Sequence, residues 1–149
     1  MSLAGIGADA AANVATKLIA QLGLQPHPEG GWYRETWRGP AREGRSVGSA
    51  ILFLLRAGER SHWHRVDADE IWHWHAGAPL QILMGERRAA TQILGPDVLA
   101  GQQCQLIVPA GWWQSAETSG AWSLMSCTVS PGFRFEGYEL APVGWALPV

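Results

Sequence analysis

The sequence predicts an all-β domain with one N-terminal helix. Three observations lead there. Short apolar runs recur at near-regular spacing from residue 48 onward, each closed by a turn. The 149 residues include 18 Gly and 9 Pro, which suits many tight turns better than a helical bundle. Only one segment carries the apolar period of a helix. The length favours one domain spanning 1–149, since domains commonly run to ~100–200 residues. An apolar fraction of 47% supplies a real core and argues against a disordered chain.

That helix is expected over 9–22 (DAAANVATKLIAQL). Val14, Leu18 and Leu22 form an i, i+4, i+8 stripe, with Asp9 as N-cap and Gly23 as stop. Residues 25–31 (QPHPEGG) read as a stiff turn outside regular structure. Strand WYRETWR (32–38) follows. It sets Trp32, Arg34 and Thr36 on one face and Tyr33, Glu35 and Trp37 on the other. Residues 39–48 (GPAREGRSVG) read as a polar loop. Further strands are expected at 49–56, 60–66, 70–76, 79–84, 89–94, 103–108, 112–117 and 121–129, with a closed body over about 32–141.

Composition narrows the function classes. Eleven Lys+Arg against 13 Asp+Glu give a net charge of −2, and no basic patch marks nucleic-acid binding. The longest apolar run, AILFLL at 50–55, is far short of a membrane span. The N-terminus lacks the pattern of a secretory signal. Cys104 and Cys127 match no zinc spacing and are too few for a disulfide scaffold; they read as small buried apolar residues. The expectation is a cytoplasmic protein with no nucleic-acid or membrane partner.

The densest chemistry is SHWHRVDADEIWHWHAG, residues 61–77. His62 and His64 lie two apart on a predicted strand. On a regular strand their side chains point the same way, with Cα atoms about 7 Å apart. Asp67-Ala68-Asp69 turns the chain, and Glu70 then faces the histidines. A buried glutamate must be paired or protonated. His64 is the better general base, because Asp67 or Asp69 can orient its ring. Trp72 and Trp74 share the face of Glu70 and can wall a cavity; His73 and His75 take the outer or interface face. Six of the nine tryptophans fall between 63 and 122, and they read mostly as core. Arg34 is either a surface residue or a fork for a substrate carboxylate or phosphate. Tyr33 and Tyr138 are the two phenols, each a core residue or a general acid.

This block resembles the first cupin motif: Gly58…His62-Trp63-His64…Glu70…Gly77, with six residues between Glu70 and Gly77. Pro109-Ala110-Gly111-Trp112-Trp113-Gln114 is similar to the second. The likeness extends to a small cupin family described as predicted sugar epimerases. Its members share the segments His27 to Glu35, Trp63 to Trp72, Val108 to Gln114 and Ser130 to Leu140, so the resemblance covers roughly 17–141. It implies a double-stranded β-helix, the cupin jelly roll, with a pocket in the barrel mouth and a homodimer. Cupin metal sites take His, His, Glu and a second-motif His. Here Gln114, a weaker ligand, stands in the last position.

Three readings follow. The leading one is an epimerase or isomerase of a small carbohydrate-like ligand. His64 is its base, oriented by Asp69, with Tyr138 as acid; Glu70 has a pocket role, and Arg34, Trp72, Trp74 and Gln114 serve binding. The second is an enzyme using a divalent transition metal held by His62, His64, Glu70 and Gln114. The third is a non-catalytic binder with a tryptophan-lined pocket.

Overall fold

The computed structural model describes residues 3–149; the first two residues of the expected 1–149 span lie outside the described residues. Helix α1 spans Leu3–Leu22, starting earlier than Asp9. Gly23, at φ 65° in the left-handed region, ends it as expected. Leu18 and Leu22 of the expected stripe are kept, but Ala15 takes the place of Val14. Val14 is exposed, while Ala15 is fully buried. Ala11, Ala15, Leu18 and Leu22 keep the 3.6-residue period, and the helix touches strands at 49–56 and 122–130.

Thirteen strands follow: β1 Gln25–Pro26, β2 Trp32–Arg38, β3 Ala41–Arg42, β4 Arg45–Ser46, β5 Ser49–Arg56, β6 Arg60–Val66, β7 Asp69–Gly77, β8 Leu80–Gly85, β9 Ala90–Leu94, β10 Gln105–Val108, β11 Trp113–Thr118, β12 Trp122–Ser130 and β13 Tyr138–Leu140. The longer ones match the periodicity to within a residue or two. Two segments read as irregular are ordered differently. β1 pairs with the start of β2, so 27–31 is a hairpin loop. The polar 39–48 stretch folds into the β3–β4 hairpin.

The strands form a six-stranded sheet in the order β1-β2-β5-β12-β7-β10 and a five-stranded sheet in the order β13-β6-β11-β8-β9. Every named strand pair is antiparallel. This is a jelly roll, in which two sheets bury their inner faces against one another. Alternation drives it: on β12, Ser123, Met125, Cys127 and Val129 are buried and their neighbours less so. The main core gathers Phe53, Leu55, Trp72, Leu80, Ile82 and Met125. A second cluster lies around Trp63. There Trp145 packs 4.5 Å from Trp113 and 6.1 Å from Trp63, and Leu147 is buried. Among the described residues, no helix is long and apolar enough to cross a membrane.

Candidate functional site

A cavity of about 300 Å³ opens between the 27–31 turn and the 131–137 segment. His64, Glu70, Trp72 and Tyr138 line it, as do two residues the sequence reading left without a role, His27 and Glu29. Cys127 also lines it, as a buried neutral thiol whose pKa is pushed well up by burial.

His64 sits on β6, where the strand is irregular. Gln114 pairs with His64, but Ala116 pairs with Ser61, so β6 carries one extra residue there. Such a bulge breaks the two-residue alternation. Ser61 and His64 therefore both turn inward, and the expected sharing of a face by His62 and His64 fails. His62 points away from the cavity, and its Nε2 lies 3.1 Å from the Pro142 carbonyl oxygen.

The carboxylate beside His64 is Glu29, not Asp69 or Asp67. Glu29 Oε2 is 3.1 Å from His64 Nδ1. Asp69 instead accepts the Ala110 backbone N–H at 2.9 Å, and Asp67 is engaged by Arg45 and Arg134. Glu29 reaches inward because its turn is pressed onto β6: the His62 N–H donates to the Glu29 carbonyl at 2.8 Å. Gly30 permits that approach. Its φ is 108°, and a Cβ there would lie 2.0 Å from the Arg60 carbonyl oxygen.

His64 Nδ1 is also 2.8 Å from the His62 carbonyl oxygen. A carbonyl can only accept, so Nδ1 must carry the proton. In the neutral ring Nε2 then holds the lone pair. It bonds to none of the described residues, and the ring lines the cavity. Burial pushes the His64 pKa below its ordinary value, which favours this neutral form.

Glu29 is buried and held on three sides. Ser61 Oγ donates to Oε1 at 3.1 Å, Tyr138 OH donates to Oε2 at 3.2 Å, and His64 meets Oε2 as above. Burial raises its pKa. His27 accepts the Glu29 backbone N–H on Nδ1 at 3.1 Å, and burial lowers its pKa. Burial brings Glu70 to about 7. Tyr138 is pushed up, first by burial and then by Glu29.

Gln114 is 1% exposed and absent from the cavity wall. Its Oε1 accepts from Trp72 Nε1 at 2.8 Å, and its Nε2 donates to Glu70 Oε1 at 2.6 Å. It is a bridge fixing Trp72 and Glu70, not a substrate contact. Both ends of its amide are engaged inside the core, and the side chain does not reach the cavity wall. With His62 outside as well, the expected set His62, His64, Glu70 and Gln114 does not assemble. Among the described residues no group of three or more His, Cys, Asp or Glu is placed to hold a metal ion. The remaining expected binding residues also lie elsewhere. Trp74 packs on the main core and donates to the Ala78 carbonyl oxygen at 3.3 Å. Arg34 is exposed beside Gly23, because alternation turns it away from Tyr33 and Glu35, which do line the cavity.

Residues 16–141 match the family model described as Cupin superfamily (DUF985). The chain belongs to the cupin superfamily. It is 42% identical to a protein of known structure from Shewanella oneidensis, with a TM-score of 0.80 over 84% of this chain and 82% of that one. A hypothetical protein from Leishmania major is 32% identical, with a TM-score of 0.79 over 85% and 86%. A cupin 2 conserved barrel domain protein from Rhodopseudomonas palustris shares the fold at 15% identity, with a TM-score of 0.56 over 80% and 73%. No curated protein matches this cupin.

Proposed function

We propose that this cupin transfers protons on a small carbohydrate-like carbonyl compound, as an epimerase or isomerase. One observation carries the reading: a neutral His64, locked by its Nδ1–H, turns a free nitrogen into the cavity that Glu70 also lines, and burial raises that carboxyl. Two titratable groups pushed apart by their surroundings make a base and an acid that coexist near neutral pH.

In the proposed step Nε2 of His64 takes the proton from the carbon next to the carbonyl and becomes an imidazolium. The C–H electron pair moves into an enolate, and the carbonyl oxygen takes the charge. The O–H of Glu70 donates to that oxygen, and the nearby carboxyl of Glu29 stabilises the imidazolium. Epimerisation is completed by a solvent proton delivered to the opposite face of that carbon; isomerisation is completed when Glu70, left as a carboxylate, takes the proton of the neighbouring hydroxyl and His64 returns its proton to the former carbonyl carbon. Tyr138, raised and donating to Glu29, serves as a positioning residue in place of the expected acid. Trp72, Tyr33 and Phe133 offer apolar walls to a ring.

The test is solvent deuterium incorporation into a panel of aldoses, ketoses and their acids, followed by NMR. Incorporation by the wild type that falls at least about 100-fold in His64→Gln supports the reading. Unchanged exchange in His64→Gln overturns it. Saturable binding with no exchange anywhere in the panel makes the protein a binder rather than an enzyme.

A further inference from the structure

The lip of the cavity holds an uncompensated cation, and from it we infer that the ligand is a small ring-shaped acid. The inference rests on the proposed proton-transfer site and adds the class of substrate. Segment 131–137 forms the lip and is fixed rather than loose. The Gly132 N–H donates to the Ser46 carbonyl oxygen at 2.8 Å, and the Phe133 N–H to Ser49 Oγ at 2.9 Å. Arg45 Nε donates to the Gly132 carbonyl oxygen at 2.9 Å.

Three guanidiniums and two carboxylates meet at this rim. Arg38 grips Glu35 through Nε at 3.0 Å and Nη2 at 2.8 Å, which closes that pair. Arg45 grips Asp67 through Nη1 at 3.1 Å and Nη2 at 2.7 Å. Arg134 adds a single bond to the same Asp67 from Nη2, at 3.2 Å. Asp67 is already satisfied by a two-pronged arginine, so Arg134 is the surplus charge, with most of its donors unused. Arg134 is also the one of these two that lines the cavity, and its side chain is 48% exposed. The adjacent Glu136 lines a different hollow, with Arg65 and Glu139. Three guanidiniums against two carboxylates leave the rim with one surplus positive charge.

Two aromatic rings flank that guanidinium in sequence. Phe133 and Phe135 pack edge-to-face at 5.0 Å, and both reach Tyr138. Phe135 is 60% exposed although it lines the cavity. An exposed phenylalanine at a rigid lip is what a ring would cover on entry. A ring lying against Phe135, with an anionic group on Arg134, would direct its remaining carbons toward His64 and Glu70. A carboxylate and a phosphate offer the same fork of oxygens to a guanidinium.

Calorimetric titration with D-glucuronate, D-glucose 6-phosphate and D-glucose tests this. The expected result is that at least one acid binds about tenfold or more tighter than glucose. Arg134→Gln should weaken that acid about tenfold, with partial recovery in Arg134→Lys. Whichever acid binds identifies the anion. Arg134→Gln retains its fold because Asp67 keeps Arg45, which an unchanged melting temperature verifies. Glucose binding as tightly as both acids overturns the inference, as does no saturation by either acid up to ~10 mM or unaltered affinity in Arg134→Gln. Deuterium exchange separates the two claims. Arg134-dependent binding without exchange removes the proton-transfer reading alone. Exchange that is unaffected in Arg134→Gln removes the acid-ligand inference alone.

Discussion

Glu29 Oε2 lies 3.1 Å from His64 Nδ1, deep in the barrel and 35 residues away along the chain. Together with the His62 carbonyl oxygen 2.8 Å from the same nitrogen, this contact holds Nδ1 away from the cavity and leaves Nε2 to face it. Replacing the carboxylate with an amide, Glu29→Gln, keeps the shape but removes the anion that supports an imidazolium. Exchange activity should fall about tenfold or more, mainly in kcat, and the acid limb of its pH profile should move down. A pH-rate series checks this. A KM effect with an unshifted acid limb would assign Glu29 to ligand binding alone.

Glu70 should make the fold less stable as pH rises. Its pKa is about 7 in the folded protein, against an ordinary 4.5. The contribution is therefore fully present below 4.5 and lost as pH climbs through about 7. It amounts to about 3 kcal/mol, in the direction of weaker folding at pH 8. His27 and His64, pushed below 6.5 by burial, act in the opposite sense: their contribution is present above 6.5 and lost as pH falls. Denaturant titrations from pH 5 to 8 should show the Glu70 slope in the wild type and its loss in Glu70→Gln.

The bridge formed by Gln114 is structural. Gln114→Leu strands the Trp72 N–H and leaves Glu70 without its donor, so about 3 kcal/mol of stability should go. Equilibrium unfolding measures it. A loss below about 1 kcal/mol would mean that the bridge is not formed.

His62→Ala should leave exchange activity and metal content unchanged, because the imidazole lies outside the cavity. The lost contact with Pro142 should cost under about 1 kcal/mol. Metal analysis alongside the exchange assay tests both, and a fall in either would return His62 to the site.

Much of this fold is legible in the sequence. The apolar 49–56 run and the mixed 60–66 and 121–129 runs are all bounded by turns, and they become β5, β6 and β12 nearly unchanged. The site is legible only in part. His64, Glu70, Trp72 and Tyr138 do converge on one cavity. The β6 bulge leaves no mark in the residue types, so period-two reasoning wrongly pairs His62 with His64. Glu29 sits in a Pro/Gly turn with no periodicity to assign it a face. The signal that could have found it is the acidic residue directly before Gly30-Gly31, where the backbone can approach a neighbouring strand closely. β13 has only three residues, too short to give a pattern.

The most direct measurement is the tautomer of His64, read from its ring nitrogens by ¹⁵N NMR at pH 7 with His64→Gln for assignment. The expected spectrum is that of a neutral ring protonated at Nδ1, with an unprotonated Nε2 that shifts when an acidic ligand is added. An Nε2–H tautomer, or an imidazolium at that pH, would contradict it.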